Sequence, residues 1–320
     1  MTSMLIAISV LCGIGLAMAL LLAAGKRAFA VEVDPRFEKL MEVIPGANCG
    51  GCGLAGCSGY ASALLAGTAA PDACPPGGAE LTLEIGRILG MEVTVREPEV
   101  AIVRCAGGNT ESPARARYDG IDDCRAAHAL AGGFKSCTYG CLGLGSCIAA
   151  CTFNAIERTA NGLVRIDPDR CTGCRNCIAA CPRHIIAMVP KKEVVHVLCI
   201  NPDKAKDVKA VCTVGCTGCK ICGKQSPRMV FDGALARVAT DSDVPLDGSV
   251  ALSCPQGSIY DAREYRLADW LCNADTRKQF EERAAAWKEA EKARKAGARK
   301  EKPAKKEDDP PASPPQEVTP

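Results

Sequence analysis

The cysteines of this chain occur in short runs whose spacing suits the binding of a metal by thiolates. The most specific run is CTGCRNCIAACP, which places Cys171, Cys174, Cys177 and Cys181 at the spacing C-x2-C-x2-C-x3-C-P. This spacing is typical of [4Fe–4S] sites, in which three thiolates bind one cluster and the fourth binds its neighbour. Zinc sites use pairs of cysteines rather than such triplets. The run therefore predicts an iron–sulfur cluster and a partner run elsewhere in the chain.

The partner run lies upstream and repeats part of the first. It is CTYGCLGLGSCIAAC, with the looser spacing C-x3-C-x5-C-x3-C, and it shares the pentapeptide CIAAC with the downstream run. Such self-similarity indicates an internal repeat, and the repeat indicates a two-cluster ferredoxin with exchanged fourth ligands. The first expected ligand set is Cys137, Cys141, Cys147 and Cys181, and the second is Cys151, Cys171, Cys174 and Cys177.

A third group of cysteines repeats the triplet but lacks its fourth member. The run CTVGCTGCKICGKQSP has Ser226 where the fourth cysteine belongs, and the next cysteine followed by proline is Cys254. We predict a ferredoxin-like module that has lost one half and keeps a single cluster. Its expected ligands are Cys216, Cys219, Cys222 and Cys254. The alternative is a three-iron cluster with an open corner at Ser226.

The glycine-rich stretch NCGGCGLAGCSGY predicts a further cluster near the N-terminus. Its expected ligands are Cys49, Cys52, Cys57 and Cys74, and the glycines between them allow the backbone to bend closely around a ligand. Zinc is the alternative at this less specific spacing. Four further cysteines are left over from these sets, and each of them alone is more often a buried thiol. Together they would supply a fifth cluster from distant segments: Cys105, Cys124, Cys199 and Cys212. The sequence thus predicts four clusters, with three as the minimum and five as the maximum.

The composition supports thiolate-held inorganic centres rather than a large apolar core. The 320 residues include 22 cysteines and only three histidines, and aromatic residues make up 4%. A formal net charge of +2 gives no reason to expect nucleic acid as a partner. Metal centres are therefore expected to replace part of the missing hydrophobic burial.

The segment MLIAISVLCGIGLAMALLLAAG, residues 4–25, is apolar, uncharged and long enough to cross a bilayer as a helix. Lys26 and Arg27 follow it directly. A cleaved signal peptide is the alternative, but the positive residues stand on the wrong side of the apolar run for one. The positive-inside rule then predicts a single-pass anchor in the inner (cytoplasmic) membrane, with the cysteine-rich body in the cytoplasm.

The predicted fold class is α+β. The expected order is an anchor at residues 1–27, a small helical four-cysteine domain at 31–95 and a connector at 96–135 with a strand at 100–104. A two-cluster ferredoxin-like domain at 136–190 and a degenerate ferredoxin-like module at 191–265 follow. Residues 266–320 are expected to form a charged helix and a disordered tail, since the end is rich in lysine, glutamate and proline.

These features together resemble the B subunit of the Rnf electron-transport complex. The resemblance covers residues 1–265: an anchor, NCGGCGLAGCSGYA with Cys74-Pro75, GCLGLGSCIAACTFNAI, and then ferredoxin-type runs. The chain departs from longer family members at Ser226 and residues 227–253, which puts the number of clusters in doubt.

The resemblance implies a membrane-bound oxidoreductase that passes electrons from soluble ferredoxin to NAD and drives Na+ or H+ across the membrane. This subunit would receive the ferredoxin electrons and relay them to membrane and flavin-bearing partner subunits. It would have no catalytic site of its own beyond that relay.

Two other functions fit the same cysteines. One is an anchored polyferredoxin that serves another reductase or a hydrogenase, and the other is a zinc-structured interaction protein. Arg175, Arg183 and Lys220 stand near the ligands. We expect each of them to be a solvated surface charge, with a role in tuning a potential or docking an acidic ferredoxin as the alternative.

Overall fold

The computed structural model describes residues 2–28, 34–239, 246–264, 269–270 and 274–300. They belong to two compact units, Met1–Arg96 and Glu97–Pro320. Both helices and strands are present, so the α+β prediction is confirmed. The predicted disordered tail falls mainly on residues 301–320, which lie outside the described residues.

The apolar N-terminal segment forms helix α1, Thr2–Ala28, with Lys26 and Arg27 in its last turn. Within the described part of the chain, one helix is long and apolar enough to cross a membrane. Its apolar window is Ile8–Arg27, with a mean hydropathy of 2.3. Length and composition therefore agree with the predicted anchor.

In the rest of the first unit, the described residues include three α-helices around a small apolar core. They are α2 (Pro35–Val43), α3 (Gly56–Leu65) and α4 (Gly78–Leu89). Asp34 caps α2 by accepting the N–H of Arg36 at 2.8 Å, and Gly90 ends α4 in the left-handed region at φ 68°. Leu40 and Ile85, from α2 and α4, are fully buried in this core. These helices agree with the small helical domain expected at residues 31–95.

The second unit contains four two-stranded antiparallel sheets among its described residues. Strand β1 (Glu99–Val103) pairs with β4 (Ile186–Pro190), and β2 (Ile156–Arg158) pairs with β3 (Val164–Ile166). Strand β5 (Val195–Val197) pairs with β8 (Ile259–Asp261), and β6 (Met229–Asp232) pairs with β7 (Leu235–Val238). The strand predicted at 100–104 is β1, one residue earlier. Such small sheets provide limited burial, so the core depends on the loops packed between them.

Six helices belong to the described part of the second unit. They are α5 (Cys124–Ala129), α6 (Ser146–Ala149), α7 (Asn176–Ala180), α8 (Ala205–Val211), α9 (Ser249–Ser253) and α10 (Ala274–Lys300). The long α10 agrees with the charged helix expected within residues 266–320. Phe280 of this helix packs edge-on against Trp270, with ring centroids 4.6 Å apart.

A helix–cysteine–turn–strand unit occurs three times in the part of the second unit that the structure describes. Helices α6, α7 and α9 lead into Cys151, Cys181 and Cys254, and strands β2, β4 and β8 follow. The residue three places after each cysteine has a positive φ: Asn154 at 51°, His184 at 51° and Gly257 at 61°. The internal repeat predicted from CIAAC is confirmed, and the third copy includes the stretch SCPQGSI.

Candidate iron–sulfur centres

Four spaces in the second unit are each lined by four cysteines. We call them centre II (Cys105, Cys137, Cys199, Cys212), centre III (Cys124, Cys141, Cys147, Cys181), centre IV (Cys151, Cys171, Cys174, Cys177) and centre V (Cys216, Cys219, Cys222, Cys254). Among the described residues, no three Cys, His, Asp or Glu side chains are close enough to hold a single metal ion. The thiols instead surround spaces that offer room for a polynuclear cluster.

Centre IV is built on the run with bacterial ferredoxin spacing. Gly173 adopts φ 74°, and a Cβ at this position would lie 2.8 Å from the carbonyl oxygen of Glu99, so only glycine lets the loop lie against β1. The N–H of Ala101 donates to the Cys171 sulfur at 3.4 Å, and the N–H of Ala155 donates to the Cys151 sulfur at 3.4 Å. Such N–H···S bonds favour thiolate and set cluster potential.

Burial opposes ionisation of these thiols when no metal is bound. It raises the pKa of Cys177 to about 12, with a further contribution from the neighbouring sulfurs of Cys171 and Cys174. Four buried thiols around one space are costly to ionise separately, whereas a bound metal centre stabilises them as thiolates. The donor set and its surroundings therefore fit an iron–sulfur cluster.

Centre V repeats the loop geometry of centre IV. Its CTGC segment places Gly218 at φ 65°, where a Cβ would lie 2.7 Å from the carbonyl oxygen of Ala234. The N–H of Ser258 donates to the Cys254 sulfur at 3.3 Å. Ser226, in contrast, accepts the N–H of Arg228 at 3.3 Å through Oγ and does not line the space. The arrangement favours four thiolates over a three-iron cluster with an open corner.

Centre III differs from the ligand set predicted from spacing. The structure brings Cys141, Cys147 and Cys181 together with Cys124, whereas Cys137 lines centre II. The predicted grouping of Cys137 with these three residues is therefore wrong.

The physical reason is a hydrogen-bond network that spacing does not reveal. The Cys124 N–H donates to Ser146 Oγ at 2.7 Å, and that hydroxyl donates to Asp123 at 3.1 Å. Asp123 also caps α5 by accepting the N–H of Ala126 at 2.9 Å. Because Ser146 precedes Cys147, these bonds hold Cys124 beside the other members of centre III.

Centre II gathers three of the isolated cysteines with Cys137. Burial raises the pKa of the Cys199 thiol to about 12 and that of the Cys212 thiol to about 11. The sequence analysis gave Cys199, Cys212 and Cys105 as candidates for a fifth site, with Cys124 as the fourth member. The exchange of Cys124 and Cys137 is what sequence reasoning missed.

Centre I lies in the first unit and consists of Cys49, Cys52, Cys57 and Cys74 on the glycine-rich loop and the segment before α4. The side chain of Asn48 accepts the Cys57 N–H at 2.8 Å. Gly56 adopts φ 79°, and a Cβ there would lie 2.7 Å from that same oxygen. Burial raises the pKa of Cys74, and the charges of Cys49, Cys52 and Cys57 add to that shift.

The three basic residues near the ligands have different surroundings. Arg175 is exposed and pairs with Glu99 at 2.8 Å, and Lys220 Nζ lies 5.6 Å from the centroid of the Phe231 ring. Arg183 is buried, donates to the carbonyl oxygen of Gly132, and has a pKa lowered by that burial. The prediction of a solvated surface charge is therefore wrong for Arg183.

Repeated ferredoxin-like units with sets of four converging thiols define the class of protein: an iron–sulfur protein of the polyferredoxin type. Two family models agree with the geometry. The model for an Fe-S cluster matches residues 44–76, which contain centre I, and the 4Fe-4S binding domain matches residues 163–186, which contain the ferredoxin run.

Relatives of known name identify the family. The chain is 42% identical over 262 residues to the B subunit of the ion-translocating oxidoreductase complex of Methanosarcina acetivorans, covering 81% of this chain and 99% of that protein. It is 43% identical over 216 residues to the B subunit of the Na(+)-translocating ferredoxin:NAD(+) oxidoreductase complex of Acetobacterium woodii (68% of this chain, 65% of the relative). It is 38% identical over 217 residues to the B subunit of the proton-translocating ferredoxin:NAD(+) oxidoreductase complex of Clostridium ljungdahlii (68% and 76%).

The chain belongs to the family of B subunits of the ion-translocating oxidoreductase (Rnf) complexes. It is an iron–sulfur electron-transfer subunit of such an oxidoreductase. The resemblance found in the sequence is confirmed.

Proposed function

We propose that this chain accepts electrons from reduced ferredoxin and relays them within a complex that reduces NAD and moves Na+ or H+. One relative is named as Na(+)-translocating and another as proton-translocating, and these names support the general reaction. Either ion is therefore included in the proposal. In this proposal NAD and flavin chemistry and ion movement belong to partner subunits, and this chain contributes the relay.

The observation that carries the proposal is the exchange of ligands between centres III and IV. Cys181, the last cysteine of the downstream run, lines centre III, and Cys151, the last of the upstream run, lines centre IV. This exchange is the arrangement of a two-cluster ferredoxin. It supports two [4Fe–4S] sites built as a pair, each with thiolates from both halves.

We assign one [4Fe–4S] cluster to each of centres I, III, IV and V. A cluster held by four thiolates takes up and returns one electron at a time. The protein provides the thiolates, the N–H groups that stabilise them, and burial, and these three factors determine where the potential of a site lies. Three of these four sets are proposed as the sequence predicted them, and in centre III Cys124 takes the position predicted for Cys137.

Helix α1 would anchor the chain as a single span in the inner membrane. Lys26 and Arg27 follow the apolar window, so the positive-inside rule predicts that the iron–sulfur body faces the cytoplasm. Soluble ferredoxin would then reach the centres from the same compartment.

Reduction by ferredoxin tests this function. The full-length protein is purified anaerobically in detergent, and its visible absorption is followed as reduced ferredoxin is added without any other reductant. We expect stepwise bleaching by ferredoxin. Cys177→Ala should bleach less because it lacks one ligand of centre IV, whereas Cys12→Ala in α1 should match the wild type.

Other outcomes would favour the rival functions. Little iron with stoichiometric zinc would contradict electron transfer and support a zinc-structured interaction protein. Clusters that a hydrogenase reduces and ferredoxin does not would support the anchored polyferredoxin. Co-purification of flavin-bearing and NAD-reducing subunits would support the Rnf-type complex.

A further inference from the structure

Centre II collects four buried cysteines from segments that are far apart in the sequence. Cys105 follows β1, Cys137 lies in the loop before α6, Cys199 follows β5, and Cys212 ends α8. All four are buried and none forms a disulfide. The four cysteines line one space, as the four cysteines of centre IV, which has the ferredoxin spacing, line another. Isolated filler thiols have no reason to converge on one space.

Backbone hydrogen bonds fix the segments that bear these cysteines. The residues on either side of Cys105 are both held: Arg104 N–H donates to the carbonyl of Ile185 at 2.8 Å, and Ala106 N–H donates to that of Leu198 at 3.1 Å. Next to Cys212, the Thr213 N–H donates to the carbonyl of Glu111 at 2.9 Å. The convergence therefore follows from the fold and not from one adaptable loop.

Glycines keep the space open where the backbone approaches it. A Cβ on Gly107 would lie 3.0 Å from the Cys212 sulfur and 3.9 Å from the Cys105 sulfur. A Cβ on Gly140 would lie 3.6 Å from the Cys137 sulfur. The missing side chains leave room beside three of the four thiols, as a bound cluster requires.

A buried cation stands beside the same thiols. Lys135 is 1% exposed and its Nζ donates to the carbonyl oxygen of Gly107 at 2.9 Å. Among the described residues no carboxylate lies within ion-pair distance of this ammonium group, which is costly to bury without a negative partner. Neutral thiols provide no such partner, whereas four thiolates around an iron–sulfur core carry net negative charge.

Centre II also adjoins two other centres through ligand backbones. The N–H of Cys141, a member of centre III, donates to the Cys105 sulfur at 3.4 Å. The N–H of Cys216, a member of centre V, hydrogen-bonds to the Cys199 sulfur. Centre II thus lies between the paired centres and the degenerate module.

We propose that Cys105, Cys137, Cys199 and Cys212 bind a fifth [4Fe–4S] cluster, which connects centre III with centre V. The proposal rests on the proposed function, since it assumes clusters in the other four centres. Under this proposal, centre II is the second cluster site that the degenerate module at residues 191–265 lacks by itself. Cys199 and Cys212 come from that module, and Cys105 and Cys137 supply the other two thiolates.

Iron content per chain tests the fifth site. The anaerobically purified full-length protein should contain about twenty irons, at four irons per cluster. Cys212→Ala should contain up to about four irons fewer than the wild type. The double variant Cys105→Ala/Cys212→Ala should also lose no more than the irons of one cluster, because both residues belong to centre II. The control Cys12→Ala should keep the wild-type content.

The grouping of the ligands is tested by Cys124→Ala. In the structure this residue belongs to centre III, so Cys124→Ala combined with Cys212→Ala should lose about eight irons, whereas Cys137→Ala combined with Cys212→Ala should lose about four. The electron paramagnetic resonance spectra of the reduced variants should lack the components of the corresponding clusters. Full iron content in Cys124→Ala would overturn the grouping.

Gly107→Ala tests the site without removing a ligand. Its Cβ would crowd the Cys212 sulfur, so we expect the loss of about four irons and the retention of the other clusters. If the variants fold poorly, the wild-type count decides. About sixteen irons, or sixteen irons and one zinc, overturns the fifth cluster and leaves the proposed function standing. A wild-type protein without iron overturns both.

Discussion

The buried ion pair of Glu193 and Arg228 offers a quantitative test of how the second unit is held together. The guanidinium of Arg228 donates to the Glu193 carboxylate, and the two side chains are 8% and 7% exposed. Arg228 also donates to the carbonyl of Ala239 at 2.7 Å. The pair therefore joins the turn between β4 and β5 to the hairpin of β6 and β7, next to centre V.

Removing one partner should cost far more than removing a surface charge. Glu193→Ala leaves the Arg228 guanidinium buried without its carboxylate. Breaking such a pair costs about 3–5 kcal/mol. For a unit of roughly 200 residues, 1 kcal/mol corresponds to about 2–4 °C, so we expect the Tm to fall by about 6–20 °C.

The assay is thermal unfolding of the anaerobically purified protein, followed by circular dichroism and visible absorption at one fixed scan rate. The matched control is Glu157→Ala, since Glu157 pairs with Arg165 at 2.7 Å but the two side chains are 49% and 28% exposed. This control should cost less than about 1 kcal/mol. Equal shifts in the two variants would refute the reasoning, as would a failure of Glu193→Leu/Arg228→Met to recover most of the stability.

Three further predictions concern centre V, a buried histidine and the anchor. Cys254→Ser should give a three-iron signal in place of the four-iron cluster in the electron paramagnetic resonance spectrum of the oxidised protein, whereas Ser226→Ala should leave the wild-type spectrum unchanged. A changed spectrum in Ser226→Ala would support the alternative of a three-iron cluster with an open corner at Ser226. Burial lowers the pKa of His196 to about 4. Between about pH 6.5 and pH 4, the unfolded chain therefore binds a proton at this residue that the folded protein does not bind. The stability of the folded protein consequently falls as the pH is lowered through this range. His196→Gln should lose less Tm than the wild type between pH 7 and pH 5, and parallel losses would contradict this. Deletion of residues 2–28 should move the protein from the membrane to the soluble fraction with unchanged iron content, and retention in the membrane would count against the anchor.

The sequence predicted the centres whose ligands are neighbours along the chain. Cysteines at C-x2-C-x2-C spacing lie on one loop, so local geometry alone brings Cys171, Cys174 and Cys177 together, as it does in centre V. The helices of the first unit were also predictable, because apolar periodicity over nine or more residues reports a buried face. Helices of four to seven residues such as α6 and α8 are too short to show such a period.

What the sequence could not reveal is which distant cysteine completes a set. Cys124 reaches centre III because Asp123 and Ser146 form hydrogen bonds across 23 residues, and no spacing rule contains that contact. The loose C-x3-C-x5-C spacing around Cys137 was the available signal that the upstream run is not a standard one. The burial of Arg183 could not be predicted from the sequence either, because nothing in the residues around Cys181-Pro182 indicates that the guanidinium donates a hydrogen bond to a loop carbonyl.

The separation of the ligands along the chain has a consequence for how the protein matures. The ligands of centre IV lie between residues 151 and 177, whereas those of centre II extend from residue 105 to residue 212. Closing a loop about four times longer costs roughly 1.2 kcal/mol more, at about 0.6 kcal/mol for each doubling. During synthesis, the ribosome must also pass residue 212 before the last thiolate of centre II exists. In the proposed assignment, the ligand set of centre IV is complete while the chain is still growing, and that of centre II is complete only afterwards, when a cluster bound there would join four segments that are distant in the sequence.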